Sequence, residues 1–328
     1  MIKELMQDPI STKPITGTWF EFRHHNTKEG KYWNDTLHNF TEEQWRAKIR
    51  EMKEAGLDQI ALLATAFKDK AYFKTDIFSE KWQLAVDDPI EIVLDEADKI
   101  ELKVYMSTGF YGNWRDPRKN MTDPEILKKM LRAMNELTAL YGHHASFYGW
   151  YYPDETWING YMDEDFIKYV NLSSAEVHRL DKRFKTLIGP YGTKDLHADD
   201  RYVFDLERLD IDFIAYQYEV GVEKSTPGQT AGYFESLKIV HDKAGRAKLW
   251  ANIELFRFEG EVYQSALLPA SFERIQRQLE AVSPYVEKIF CYEYPALMSK
   301  PGSIARLGHP DAEILYERYI HYRKNFEK

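Results

Sequence analysis

Ile15-Thr-Gly-Thr-Trp-Phe-Glu-Phe-Arg-His-His25 is where the choice of fold is made. Its first part, Ile15 to Phe22, is a short run rich in apolar and β-branched residues and reads as a strand. The residues at its far end matter more. An open doubly wound sheet normally places a glycine-rich phosphate turn, GxGxxG, directly after its first strand. Here that position holds Glu21-Phe-Arg-His-His25, without a glycine.

Outward from this stretch the chain alternates. Thr41-Glu-Glu-Gln44 has the form of a capping box, and the helix behind it runs through Trp45, Ile49 and Met52 to Gly56. Asp58 to Ala64 is strand two. A helix opened by Pro89 leads to strand three, Leu102 to Met106. Thr122-Asp-Pro124 starts the next helix, before strand four at Ser146 to Tyr152. A helix over Glu164 to Leu180 precedes strand five, Thr186 to Gly189, and a helical stretch near Arg201 to Leu209 precedes strand six, Asp212 to Tyr216. The helix from Thr230 to about Lys243 ends at Gly245, ahead of strand seven, Ala247 to Ile253. Ala270 to Val282 is helical, Lys288 to Tyr292 is strand eight, and a last helix spans about Asp311 to Arg323. Short apolar strands covered on both faces imply a parallel sheet, and parallel strands need crossover helices. Eight such units with no second domain left over predict an α/β chain folded as one (β/α)₈ TIM barrel over residues 1–328, with 1–14 as a polar extension.

The totals narrow the function. With 328 residues and 44% hydrophobic content the chain can build a sizeable core. A net charge of −9 and a pI near 5.7 argue against a nucleic-acid partner, which calls for a basic stripe. No run of about 18 apolar residues appears, so no membrane association is expected. Met1 to Pro14 lacks the apolar core of a secretory signal, which points to the cytoplasm, or to the periplasm or outside if a leader has been removed. Cys291, the single cysteine, excludes an intrachain disulfide and reads as a buried small hydrophobe. Aromatic residues reach 15% and many fall near strand ends, where a minority can serve as platforms for a sugar ring.

In a barrel the site lies at the C-terminal strand ends. Strand one ends in Glu21, Arg23, His24 and His25, strand three runs into Thr108, Phe110, Tyr111 and Trp114, and strand four ends in Tyr152-Pro-Asp154-Glu155 with Trp157 beyond. Strand five contributes Tyr191, strand six Gln217 and Tyr218, strand seven Asn252 and Glu254, and strand eight Tyr292 and Glu293. The decisive pair is Glu155 with Glu254. Strands four and seven lie on roughly opposite sides of an eight-stranded barrel, so their carboxyl groups can face each other across a substrate. Glycoside hydrolysis needs such a pair, one to protonate the leaving oxygen and one to attack the anomeric carbon or activate water. Glu293 can bind a hydroxyl, act in place of Glu254, or pair with Arg23. Of His24 and His25, strand alternation lets one face the pocket readily. Gln217 and Tyr218 can orient a carboxylate or hydroxyl, and Trp114, Trp157 and Tyr191 can stack on rings. The long segments Phe67 to Asp88 and Phe110 to Met121 are expected to set specificity.

Carboxylates ending strands four and seven resemble the pattern of the clan A glycoside hydrolases, which are retaining barrels. More closely, Gly149-Trp-Tyr-Tyr-Pro-Asp-Glu155, Leu249-Trp-Ala-Asn-Ile-Glu-Leu-Phe256 and Ala215-Tyr-Gln217 resemble a bacterial family of clan-A-like barrels described only in general terms as glycosyl hydrolases. The likeness extends in layout over nearly the whole chain. It implies Glu155 as acid/base and Glu254 as nucleophile, a carbohydrate substrate and no cofactor. The clan usually has Asn before its acid/base. Asp154 stands there instead, and an ionised Asp cannot donate to a sugar hydroxyl. A helix-cap role for Asp154 is the alternative. Two other functions stay open: a metal-dependent sugar isomerase or epimerase using Glu155, Glu254, Glu293 and one of the histidines, and a carbohydrate-binding barrel without turnover. The sequence does not specify oligomeric state.

Overall fold

A computed structural model describes residues 12–324 of the chain, so most of the polar N-terminal extension lies outside the described residues. Eight parallel strands close on themselves: β1 (Gly17–Phe20), β2 (Gln59–Leu62), β3 (Lys103–Ser107), β4 (Phe147–Tyr151), β5 (Lys185–Ile188), β6 (Phe213–Gln217), β7 (Lys248–Glu254) and β8 (Lys288–Tyr292). Each pairs with its sequence neighbour, and β1 completes the ring against β8 with Gly17 opposite Phe290. The (β/α)₈ barrel expected from the alternation is the fold. The outer ring is α1 (Glu42–Glu54), α2 (Pro89–Lys99), α3 (Pro124–Tyr141), α4 (Glu164–Leu180), α5 (Asp200–Arg208), α6 (Pro227–Ala244), α7 (Phe272–Val282) and α8 (Asp311–Arg323).

The local signals act as their chemistry requires. The Gln44 N–H donates to Thr41 Oγ1 at 3.3 Å and the Thr41 N–H to Gln44 Oε1 at 2.9 Å, so the capping box satisfies two orphan helix donors. Proline opens α2, α3 and α6, where its missing N–H costs nothing. No helix among the described residues is long and apolar enough to cross a membrane. Cys291 is buried.

The barrel interior takes one side chain from each strand: Trp19, Ala61, Tyr105, Tyr151, Leu187, Ala215, Trp250 and Phe290. Large rings are matched by small partners, as close packing demands. Trp250 stacks between Phe213 and Phe290, with centroids 4.1 and 5.2 Å away. A Cβ on Gly17 would lie 2.3 Å from the Phe290 ring, which is itself wedged against Trp19 and Trp250 and has nowhere to move. Gly17→Ala is therefore expected to cost about 1–3 kcal/mol by overpacking, read as a lower urea midpoint with an unchanged slope.

Three loop structures go beyond the strand–helix pattern. Within Phe67 to Asp88, Lys70–Ala71 pairs antiparallel with Ala66–Phe67 and parallel with Glu80–Lys81. Within Phe110 to Met121, Asp116 caps a short helix, Pro117–Thr122. After β7 a hairpin, Phe256–Phe258 against Leu267–Pro269, precedes α7, so the stretch from strand seven to its helix is not a plain connection. All three come after strand C-termini, where a site would be.

Candidate active site

Alternation along each strand carries the barrel interior directly into a cavity. On β7, Trp250 fills the interior and Asn252 and Glu254, two and four residues on, line the space above it. The same parity takes Ala215 to Gln217 on β6 and Phe290 to Tyr292 on β8, and Trp19 with Leu63 makes the floor. The cavity has a volume of about 590 Å³, in the range of small-molecule sites. Glu155 and Glu254 both line it, with His24, Trp114, Tyr191, Gln217, Asn252 and Tyr292.

Glu254 is buried and firmly held. Its Oε1 accepts the Glu219 N–H at 2.9 Å and its Oε2 accepts the Gly221 N–H. The loop can deliver both donors because Glu219 adopts a positive φ of 57° and Gly221 has no Cβ; one there would sit 2.8 Å from the Phe256 ring. Burial pushes the Glu254 carboxyl up to about 7, with the two N–H donors pulling the other way. Glu155 is half-buried at the mouth of β4. The Tyr151 hydroxyl, on a side chain locked in the barrel interior, donates to its Oε1 at 3.1 Å. Burial pushes Glu155 up to about 7 as well, opposed by Gln217 and Tyr151 and reinforced by the charge of Glu219.

His24 lies at the centre of a buried network. Its Nδ1 is 2.9 Å from Glu21 Oε1 and 3.0 Å from the Tyr292 hydroxyl, and its Nε2 is 3.0 Å from Glu29 Oε2. The Trp33 indole N–H also donates to Glu21, at 3.0 Å. Burial disfavours the imidazolium, yet Glu21, Glu29 and Glu293 together raise it to about 10, so His24 is a cation at neutral pH. His25 lines the cavity too, contrary to the expectation that one of the pair would face it. The strand has ended by this point and its alternation no longer applies.

The remaining candidates lie elsewhere. Glu21 is buried behind the lining, against His24 and Trp33. Arg23 stacks on Trp82 at 5.6 Å and forms no ion pair with Glu293. Asp154 is buried and accepts from Asn120 Nδ2 at 2.7 Å; α4 is capped by Asp163, so the helix-cap reading of Asp154 is corrected. Trp157 is 49% exposed and donates to Asp195 at 3.0 Å. Tyr218 points outward and donates to the Gln278 carbonyl of α7 at 3.3 Å. Glu293 is buried outside the cavity lining, and neither of its oxygens has a hydrogen-bond partner among the described residues. Burial, and Glu21 next, hold it well above the usual carboxylate range.

Sequence reasoning missed Glu219, Lys224, Tyr263 and Glu29, all in the lining. Glu219 continues the Ala215, Gln217 parity and could have been found that way. Tyr263 sits at the tip of the unforeseen hairpin. Ligand atoms of Glu21, His24 and His25 lie within 4.8 Å of one another, close enough for a metal. Both His24 nitrogens, however, already face carboxylates.

The crystal structure of a "putative alpha-L-fucosidase" from Bacteroides thetaiotaomicron VPI-5482 is similar with a TM-score of 0.73 at 19% identity, over 100% of this chain and 99% of that one. A β-galactosidase from the psychrophilic Marinomonas ef1 gives 0.61 at 11% identity, over 95% of this chain and 59% of that one. A glycoside hydrolase family 5 mannosidase from Rhizomucor miehei gives 0.56 at 10% identity, over 97% and 96%. At such identities the likeness establishes the barrel and leaves the chemistry to the site. A search of curated proteins by sequence finds no match. The profile of a family described as "Domain of unknown function (DUF4434)" matches residues 15–305, and the chain belongs to that family.

Proposed function

We propose that this protein is a retaining glycoside hydrolase, with Glu155 as general acid/base and Glu254 as nucleophile. The observation that carries the reading is the pair of carboxyl groups on opposite strands of one cavity, each raised to about 7 but held by different donors. Two backbone N–H groups favour the ionised form of Glu254. Glu155, met by the neutral side chains of Gln217 and Tyr151 and not by backbone donors, keeps the proton. Two carboxyls in unlike settings are what separate acid from nucleophile.

In the first step Glu155 gives its proton to the glycosidic oxygen as the bond to the anomeric carbon breaks, and a Glu254 oxygen bonds to that carbon. In the second, the Glu155 carboxylate takes a proton from water, whose oxygen displaces Glu254 from the anomeric carbon. Asn252 Oδ1, buried in the lining without a partner among the described residues, offers an acceptor to a sugar hydroxyl. Trp114 and Tyr191 add aromatic surface to the same lining.

Proton NMR of the freshly released sugar is expected to show the anomer of the starting glycoside, consistent with carboxyls about 5–5.5 Å apart. The opposite anomer would mean inversion. Dialysis against EDTA is expected to leave turnover unchanged. A loss restored by Mn²⁺ or Mg²⁺ would instead favour metal-dependent sugar chemistry at the Glu21, His24, His25 cluster.

A further inference from the structure

We propose that the sugar taken here carries an acidic substituent, a carboxylate or a sulfate, bound by the unneutralised Arg115 in the cavity wall, with Lys68 adding positive charge behind it. The inference rests on the hydrolase reading for its sugar, while the anion site stands on its own geometry.

Acidic residues outnumber Lys and Arg in this chain by 53 to 44, so basic side chains readily find partners. Around the site most do. Lys224 reaches Glu219 at 3.3 Å, Lys31 reaches Glu259 at 3.0 Å, and Lys70 pairs with Glu80. Arg23, Lys68 and Arg115 do not: among the described residues none of the three has a carboxylate oxygen within 4.0 Å. Of the three it is Arg115 that lines the cavity, while Arg23 lines a neighbouring cleft, and the three adjoin through contacts. Lys68 Nζ donates to the His25 carbonyl at 2.8 Å, the His25 ring packs on Trp114 at 4.4 Å, and Arg115 lies over Trp114 at 4.9 Å. Arg23 stacks on Trp82, which stacks in turn on Phe67 of the strand leading into Lys68.

The placement is built rather than incidental. Lys68 and Asp69 take positive φ angles of 52° and 56° in the tight turn between Ala66–Phe67 and Lys70–Ala71. That strained turn brings the ammonium to the end of β1. Burial first, then Arg23 and Arg115, depresses the Lys68 ammonium, and burial first, then His24, Lys68 and Arg115, lowers His25. Like charges gathered without counter-ions are unfavourable until an anion arrives.

His25, Trp114 and Arg115 form one wall of the cavity, and a planar carboxylate or a sulfate matches the guanidinium fork there. The carboxylates of the same cavity oppose an acidic sugar elsewhere. Glu219 is offset by Lys224 and Glu29 by His24, while Glu254 is occupied by backbone donors. The Arg115 wall, where the cation has no carboxylate partner among the described residues, is thus the part of the lining that suits an acidic group, with the sugar ring extending toward Glu155 and Glu254.

The test is binding, followed by titration calorimetry at neutral pH and low salt. The probes are galacturonic and glucuronic acids, galactose 6-sulfate and glucose 6-sulfate, with galactose and glucose as neutral parents. An acidic probe is expected to bind roughly 10- to 100-fold tighter than its neutral parent, and high salt is expected to narrow that gap. Arg115→Ala should abolish the preference and Lys68→Ala should weaken it. Both side chains are exposed, so folding is expected to survive, as circular dichroism would verify. Preference for the uronic acids or for the sulfates identifies which substituent is recognised. Equal binding of neutral parents, or failure of every acidic probe to bind, overturns the proposal. Turnover separates the two readings. Neutral and acidic aryl glycosides cleaved with equal kcat/KM, both unaffected by Arg115→Ala, would sink the anion site and spare the hydrolase. Acidic probes bound with no Glu155-dependent cleavage of any glycoside would do the reverse.

Discussion

Glu155→Gln is expected to lower kcat on a natural glycoside by about 10²–10⁴-fold, and Glu254→Gln by on the order of 10⁴-fold or more. The asymmetry stems from their roles. Without Glu155 a leaving group that needs no proton still departs, so aryl glycosides with acidic phenols should form the glycosyl-enzyme and then stall for want of a base. Added azide, which needs no deprotonation, should rescue that variant and give a glycosyl azide of retained configuration. Without Glu254 no covalent intermediate forms with any leaving group. The wild-type pH profile of kcat/KM should be a narrow bell. Its acid limb falls as Glu254 gains a proton and its alkaline limb as Glu155 loses one, both groups being raised to about 7 by burial. Glu155→Gln should erase the alkaline limb and leave the acid one. Glu254→Gln places an amide NH₂ opposite one of two backbone donors, costing about 1–3 kcal/mol of stability, so its fold has to be checked by near-UV circular dichroism. Normal turnover in both variants would refute the assignment.

The barrel was legible because its cause is periodic. Eight short apolar runs separated by capped helices leave few arrangements for parallel strands, and β-strand ends point to one rim. The same periodicity held more than was taken from it. Gln217 and Tyr218, or Tyr292 and Glu293, are adjacent in sequence and sit on opposite faces: one of each pair lines the cavity and the other packs outward or behind. Reading parity onward from the interior residues Ala215, Trp250 and Phe290 separates them and reaches Glu219. Past the strands parity fails. His24 and His25 both face the cavity because the chain has turned, and the anchoring of Glu29 on His24 depends on a loop that returns to β1. The hairpin after β7 was not visible either. Its paired segments, Phe256–Phe258 and Leu267–Pro269, are three residues each, too short to show a period. Asp154 illustrates a different limit. Its neighbour Glu155 marked it as a site residue, but its partner, Asn120, is 34 positions away on a short helix that no local pattern places there.

The same network sets the largest stability effect expected here. His24→Ala should destabilise the fold by about 3–5 kcal/mol, because it strands the carboxylates of Glu21 and Glu29 in the interior without their cation. Trp33 and Tyr292 cannot replace that charge. Glu293→Gln, one step away, should cost far less, since burial and the neighbouring Glu21 already disfavour the Glu293 charge. The pH dependence distinguishes a lost ion network from a lost ring. His24 is raised from 6.5 to about 10 in the folded state. Its protonation therefore contributes stability that is complete below 6.5 and declines as pH rises through about 10. Urea unfolding of wild type and His24→Ala should then differ most near pH 6 and least near pH 10. A gap that stays constant over this range would mean that the imidazole serves only as packing, and one that widens with pH would mean that it is neutral in the folded protein. Either result would also remove the counter-ion that lets Glu29 sit in the cavity wall, and with it the electrostatic separation between this network and the catalytic carboxylates.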